Sequence, residues 1–288
     1  MKNFPDREYL QALLGSFLEA SRSVPCVGLA GTRYLAQRLG LTECETMQGL
    51  LHQDIWPKRF LRNRDSFCAE AQARLLGSRV LVAGCGGLGG HLTGLLARLG
   101  VGAFVLCDYD VFDESNLNRQ LFCTEKTVGL PKVEVCRDRL MEIASYLDVR
   151  IFPGRLDSGN LEDLLKGTDA CADCLDSVSG KQMLKAAADR VGVPYLHGAV
   201  DRHEGLAYCS GGGGQPTSSL YAAQTAGDGE SAAAHVLTVA GTAVLMASLL
   251  LRDVLAITAT GQTREQHLFH LDVSLPELER FVMEQDMR

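Results

Sequence analysis

The run Arg79-Val80-Leu81-Val82-Ala83-Gly84-Cys85-Gly86-Gly87-Leu88-Gly89 decides the fold. A short stretch rich in Val, Leu and Ala ends in a G-x-G-G-x-G turn, after which Leu88, Leu92, Leu95 and Leu99 recur at helical spacing. A strand, a glycine turn and an amphipathic helix in that order open a βαβ unit. The glycines have a steric purpose. A side chain there would block both the tight turn and the approach of a phosphate to backbone N–H groups at the positive end of the helix. By itself the turn suits NAD, FAD, S-adenosylmethionine or ATP, and equally a tight turn that binds nothing.

Outward from this run, strand patterns at 103–108, 149–153, 169–175 and 193–200 alternate with helical patterns at 87–99, 131–143, 161–166 and 179–191. Such alternation predicts an α/β fold, a Rossmann-like, mostly parallel sheet flanked by helices. A strand at 205–210 leads into a glycine run at 211–214 and a crossing segment to Glu230. A long apolar helix over 231–251, a strand near 267–273 and a final helix from Pro276 follow, so the C-terminal part contributes mixed strands. Residues 1–57 read as a helical N-terminal extension. In it Tyr9, Leu10, Leu13, Leu14, Phe17 and Leu18 form an apolar stripe, and Thr42-Glu43-Cys44-Glu45 reads as a capping box. Residues 58–288 form the sheet domain.

The 288 residues are 46% hydrophobic and 22% charged, as in an ordinary globular protein. A formal charge of -7 argues against the broad basic footprint of phosphate-backbone binding, so no nucleic-acid partner is expected. The segment from Tyr34 to Leu51 has helix-turn-helix spacing, but its second half carries Glu43 and Glu45 and no Lys or Arg. The uncharged stretch 231–251 contains Thr238, Gly241, Thr242, Ser248 and many alanines, which suits a closely packed buried helix rather than a membrane span. The cysteines are scattered through predicted strands and helices, and the opening MKNFPDREYL does not read as a signal peptide. A reducing, cytoplasmic setting is expected.

Asp108 ends the second predicted strand, where an acid accepts hydrogen bonds from ribose hydroxyls. What separates the nucleotide classes is the stretch after it, Asp108-Tyr109-Asp110-Val111-Phe112-Asp113-Glu114-Ser115-Asn116-Leu117-Asn118-Arg119-Gln120, then Val128-Gly129-Leu130-Pro131-Lys132. An ordinary dinucleotide site has no use for an Asn and an Arg there. This D-x-D…S-N-L-x-R-Q string resembles the ThiF/MoeB/HesA family, bacterial relatives of ubiquitin-activating enzymes. The similarity continues through Cys174-Leu175-Asp176-Ser177, with Asp173 and Asp176 matching a strand-end D-x-x-D element, and through His197-Gly198-Ala199. It covers roughly residues 59–281.

The resemblance implies an ATP-dependent adenylyltransferase, with 58–288 as its adenylation domain. Gly84, Gly86, Gly87 and Gly89 then cradle the nucleotide, with Asp108 on the ribose and Asp110 beside it. Asn116, Arg119, Gln120 and Lys132 meet the phosphates or the incoming acyl phosphate, and Asp176 holds Mg2+. In Arg59-Phe60-Leu61-Arg62-Asn63, Arg62 is the residue expected to act on the neighbouring subunit's triphosphate, with Arg64 as the alternative. The catalytic set is therefore Arg62, Arg119, Lys132 and Asp176, in a homodimer. The implied partner is a small ubiquitin-like sulfur-carrier protein whose C-terminal glycine carboxylate is adenylated, with sulfur from a separate donor. A peptide C-terminus or a tRNA base as acceptor, a non-catalytic nucleotide sensor and a nicotinamide oxidoreductase are the competing readings.

Two departures from the family narrow the chemistry. Zinc-binding members carry two Cys-x-x-Cys pairs, whereas this chain has only Cys171-Ala172-Asp173-Cys174, in a predicted buried strand, and no cysteine after Cys209. No zinc is expected. The crossing segment 217–230 also lacks a cysteine nucleophile, and Cys209 at a strand end reads as a packed small hydrophobe.

Overall fold

The computed structural model describes residues 4–21, 24–210, 239–261, 267–274 and 277–282. Strand β4 (Arg79–Ala83) lies within an eight-stranded sheet. Val80 and Val82 enter one apolar cluster and Leu81 and Ala83 another, so both faces are covered and the run shows no polar alternation. It pairs in parallel with β5 (Ala103–Cys107) on one side and β7 (Ala170–Asp173) on the other, and β6 (Asp148–Phe152) and β8 (Tyr195–Asp201) extend the parallel part. Then β9 (Glu204–Ser210), β10 (His267–Asp272) and β11 (Glu277–Val282) continue antiparallel, giving the order β11-β10-β9-β8-β7-β4-β5-β6. Because the chain runs outward from β4 to β6 and then returns to the other side of β4 as β7, their C-terminal ends flank a topological switch point. That is where open α/β sheets receive ligands.

One face is covered by α4 (Ala69–Gly77), α5 (Gly87–Leu99), α6 (Lys132–Ile143) and α9 (Ala240–Thr260). The other carries α7 (Leu161–Leu165) and α8 (Val178–Val191). In α5 the buried stripe is Leu88, Leu92 and Leu96, so Leu96 takes the inward place expected of Leu95 and Leu99. The apolar helix expected from 231 is described from Ala240 and runs on to Thr260, ending at Gly261 in the left-handed conformation; 231–238 lie outside the described residues. It is long and apolar enough to cross a membrane, yet Ala243, Met246, Leu250, Val254 and Ile257 are buried along one stripe. Its approach is close: a Cβ on Gly198 of β8 would lie 2.7 Å from Leu250, and one on Gly205 of β9 would lie 2.4 Å from Met246.

Two segments differ from expectation. The N-terminal region contains α1 (Arg7–Leu14), α2 (Leu29–Leu39) and α3 (Glu43–His52), but also a three-stranded sheet of β1 (Leu18–Ser21), β2 (Val24–Val27) and β3 (Trp56–Pro57). The stripe from Tyr9 to Leu18 is broken at Gly15, whose φ of 46° ends α1 before Phe17 and Leu18. In β2 the β-branched valines and Pro25 favour extended backbone. The capping box is present: Glu45 N–H donates to Thr42 Oγ1 (3.1 Å) and Thr42 N–H to Glu45 Oε2 (2.9 Å). Cys26, Met47, Leu51 and Trp56 share one apolar cluster with Phe60, Ala73 and Leu76, so the extension and the sheet domain are packed together.

At the C-terminus, the helix expected from Pro276 is instead strand β11, paired with β10 over six residues of each strand. Leu, Glu and Arg favour a helix locally, but pairing satisfies the open edge of β10, and tertiary context overrides the local preference.

Candidate active site

The glycine turn follows β4 directly, and backbone proximity dictates its composition. Gly84 has φ 92° and its N–H donates to Cys107 O (2.8 Å); a Cβ there would sit 2.5 Å from the Cys174 carbonyl oxygen. At Gly89 a Cβ would lie 1.8 Å from Gly84 O, so the helix could not approach the turn. Gly86 is the N-cap of α5 and Gly87 its first residue, and among the described residues no side chain caps this end. The backbone donors of the first turn therefore face the crevice at the positive end of the helix dipole.

Arg119 and Gln120 lie over this turn. The Arg119 Cγ is 3.7 Å from the position of a Cβ on Gly87, and the Gln120 amide is 3.5 Å from that on Gly86. Gln120 is only 7% exposed, and its Oε1 has no hydrogen-bond partner among the described residues. An unmatched buried amide costs about 1–3 kcal/mol, a deficit that a bound molecule donating to it would remove. The Arg119 backbone carbonyl and Cγ lie against Gly87, while its guanidinium donates to Ser115 O (2.8 Å) and Asn118 Oδ1 (2.9 Å).

Asp108 follows β5 and bridges to the same turn, accepting from Cys85 N–H (2.7 Å) and Asp110 N–H (2.9 Å). Burial raises its carboxyl above the ordinary range, and these two N–H groups with the Lys132 charge only partly oppose that. Lys132, 8% exposed, donates to Asp110 Oδ2 (3.0 Å), and its own N–H to Asp110 O (2.9 Å). Asn116 has a framework part here: its Oδ1 accepts Asp113 N–H (3.1 Å), closing the 3₁₀ turn Glu114–Asn116 that presents Arg119. Asp176 is exposed on the loop between β7 and α8, with no hydrogen bond or ion pair among the described residues.

Arg62 is not brought to this site within its own chain. It lies in the 3₁₀ segment Lys58–Asn63 at the opposite end of α5, where Asn63 Nδ2 and Gln72 Nε2 donate to Leu99 O (3.4 and 2.8 Å). At about 1.5 Å per residue, α5 separates that end from the glycine turn by about 18 Å. Arg62 and Arg64 are exposed, whereas Arg59 is held by Ile143 O (2.9 Å) and the Tyr146 ring (4.9 Å). Cys171 is buried within β7 and Cys174 lies just past its end.

Sequence reasoning missed the role of a buried polar network beneath the crevice. Asp173 is fully buried; its Oδ2 accepts from the Tyr195 hydroxyl and from His197 Nδ1 (3.1 Å), and its Oδ1 from Leu175 N–H (3.0 Å) and Lys181 Nζ (3.5 Å). Lys181 also donates to Gly198 O (2.9 Å). Burial alone would raise the Asp173 carboxyl; Lys181, His197 and Tyr195 outweigh it and hold the carboxyl below its ordinary value. Burial and then the Lys181 charge keep His197 below its ordinary value. The available signal was Lys181 and Lys185 on the inward stripe of α8, at spacing shared with Leu184 and Ala188, where apolar residues are expected.

The profile described as the ThiF family matches residues 60–286. The chain is 41% identical over 139 residues to a molybdopterin-synthase adenylyltransferase of Salmonella typhimurium, covering 48% of this chain and 56% of the relative. It is 36% identical over 143 residues to a SAMP-activating enzyme E1 of Haloferax volcanii, covering 50% and 53%. The alignments thus span about half the length of these curated relatives. Among solved structures, E. coli MccB with ATP superposes with a TM-score of 0.65 at 20% identity, covering 80% of this chain and 73% of that one, a likeness of fold.

Proposed function

The chain belongs to the ThiF family, and from that premise we propose that it is an ATP-dependent adenylyltransferase acting on the C-terminal glycine carboxylate of a small ubiquitin-like sulfur-carrier protein. An acceptor carboxylate oxygen bonds to the α-phosphorus of ATP, the bond from that phosphorus to the bridging oxygen breaks, and pyrophosphate leaves with the electron pair. The protein's task is to align these groups and to stabilise negative charge.

The observation that carries the reading is the placement of Arg119 and Gln120 directly against Gly86 and Gly87. Taken with Lys132 and the Asp176 carboxylate, an arginine and a buried amide on this turn suit a metal-bound triphosphate, whereas hydride transfer has no need of the set as a whole. Gly84, Gly86, Gly87 and Gly89 accommodate the nucleotide, Asp108 accepts from ribose, and Lys132 is held ready by Asp110. Asp176 fits Mg2+: it is an exposed carboxylate across the switch point from the glycine turn, and no cluster of three His, Cys, Asp or Glu exists among the described residues. One carboxylate with phosphate oxygens and waters is the habitual set for this ion. The ion supplies charge neutralisation on the phosphates. Arg62, too far to serve its own site, serves that of a second copy in a homodimer, in a reducing cytoplasmic setting. The lone Cys171/Cys174 pair argues against zinc, and sulfur comes from a separate donor.

The test is ATP–pyrophosphate exchange with carriers ending in Gly-Gly. Exchange is expected only with the carrier present, and Arg119→Ala and Asp176→Ala each lower it by about 10²–10³-fold. Full activity in both variants refutes the site. Exchange that answers instead to a short peptide or a tRNA transfers the acceptor to that class, and nucleotide binding without exchange under any condition leaves a sensor.

A further inference from the structure

We propose that Asp173 and Lys181 are positioning residues that hold the Asp176 loop in register with the glycine turn. The inference rests on the reading of Asp176 as the magnesium carboxylate. Only four residues, 174–177, connect β7 to α8, and both ends of that connection are tied to the same buried pair. At the strand end, Asp173 Oδ1 accepts Leu175 N–H (3.0 Å), one residue before Asp176. At the helix start, Lys181 N–H donates to Ser177 O (3.1 Å), while its Nζ reaches back to Asp173 (3.5 Å) and across to Gly198 O on β8 (2.9 Å). The hydroxyl of Tyr195 and Nδ1 of His197 occupy Oδ2, so the carboxylate cannot rotate without losing bonds.

The network is also joined to the phosphate side. Ala83, Asp173 and His197 stand in register on three neighbouring strands. Cys174 N–H donates to Ala83 O (2.8 Å), and the Cys174 carbonyl lies against Gly84. A shift of the loop therefore shifts Asp176 relative to the turn. Burial does not call for charge here, because Leu184, Ala187 and Ala188 already supply apolar contacts from α8. Well-packed apolar residues match or exceed a buried ion pair in stability, so directed bonds are the gain.

The experiment uses the full chain with a non-hydrolysable ATP analogue and Mn2+, reading bound metal by electron paramagnetic resonance, alongside Mg2+ titrations of pyrophosphate exchange. Asp173→Asn and Lys181→Met are expected to weaken Mn2+ binding and raise the half-saturating Mg2+ by about 10–100-fold, as loss of a group orienting a metal ligand does. The rate at saturating Mg2+ stays within about threefold, and Lys181→Arg recovers most of the metal affinity. If Asp176→Asn loses Mn2+ but cooperatively melting Asp173→Asn and Lys181→Met bind it like the parent, the positioning role is overturned alone. If Asp176→Asn retains Mn2+, the metal reading falls and takes this inference with it. Should Asp173→Asn not fold, Tyr195→Phe is read the same way: several-fold weaker Mn2+ supports the role and parental affinity overturns it.

Discussion

The two ends of helix α5 contrast. At its N-terminus, among the described residues, the backbone donors have no side-chain cap and the buried Gln120 Oε1 has no partner, and three charged residues, Asp108, Arg119 and Lys132, stand nearby. At its C-terminus the Leu99 carbonyl accepts from both Asn63 and Gln72, which also bond to each other (2.9 Å). One end leaves polar capacity open and the other consumes it. Unmet polar capacity beside a glycine turn marks a binding site, while satisfied capacity at the same helix marks a joint. Arg62 is exposed on the joint, away from its own chain's turn, as the proposed role across subunits requires.

The largest expected effect breaks the open end. Gly89→Ala puts a methyl 1.8 Å from Gly84 O, and ATP affinity measured by calorimetry should fall by more than about 100-fold. Next is the joint's reach: Arg62→Ala should cost about 100-fold in exchange. Mixing it with inactive Asp176→Ala should restore about a quarter of parental activity, because half the dimers in a 1:1 mixture are mixed and each of those holds one intact site. No recovery on mixing would mean that Arg62 does not act across subunits. A smaller effect comes from the joint's own glycine. Gly100→Ala has φ 106° to contend with and a Cβ position 2.5 Å from Gln72 Nε2, so denaturant unfolding should show a loss of about 1–3 kcal/mol. ATP affinity should stay within about twofold.

The smallest effect is electrostatic. Folded His197 titrates below its unfolded value of about 6.5, so the stability from keeping it neutral is full above that pH and fades as pH falls toward the folded value. Asp173, held below its ordinary value, adds stability that survives until pH drops below the carboxylate range. The melting temperature should therefore decline by about 2–4 °C for each kcal/mol lost between pH 7 and 5. Asp108 behaves oppositely. Its raised carboxyl protonates earlier on acidification, so ATP affinity should begin to fall above the ordinary carboxylate range. A flat affinity profile down to pH 4 would remove Asp108 from the ribose.

Much of the sheet was legible because its causes are local. The run from Val80 to Ala83 has no polar residue to expose, Leu88 and Leu92 are one helical turn apart, and the Thr42/Glu45 box needs only its own residues. Gln120 and Arg119 were legible by resemblance, but their placement over Gly86 and Gly87 was not. Segment 277–282 read as a helix because Leu, Glu and Arg favour one, whereas the free edge of β10 chose a strand. Likewise β1 and β2 pair only because the chain reverses between them, a condition that periodicity over 9–18 did not carry.

The amino-acid order by itself determined the glycine turn, the crossover rhythm around it and the acid that follows β5, since each depends on steric and periodic rules acting over a few residues. Only the tertiary structure decided that the Arg62 segment packs at the far end of α5, a helix about 18 Å long, from its own nucleotide turn. It alone decided that Asp173, Lys181, Tyr195 and His197 close into one buried network. Those facts come from segments far apart in the chain meeting in the sheet, where loss of water makes each polar group find a partner and fixes which partner it finds.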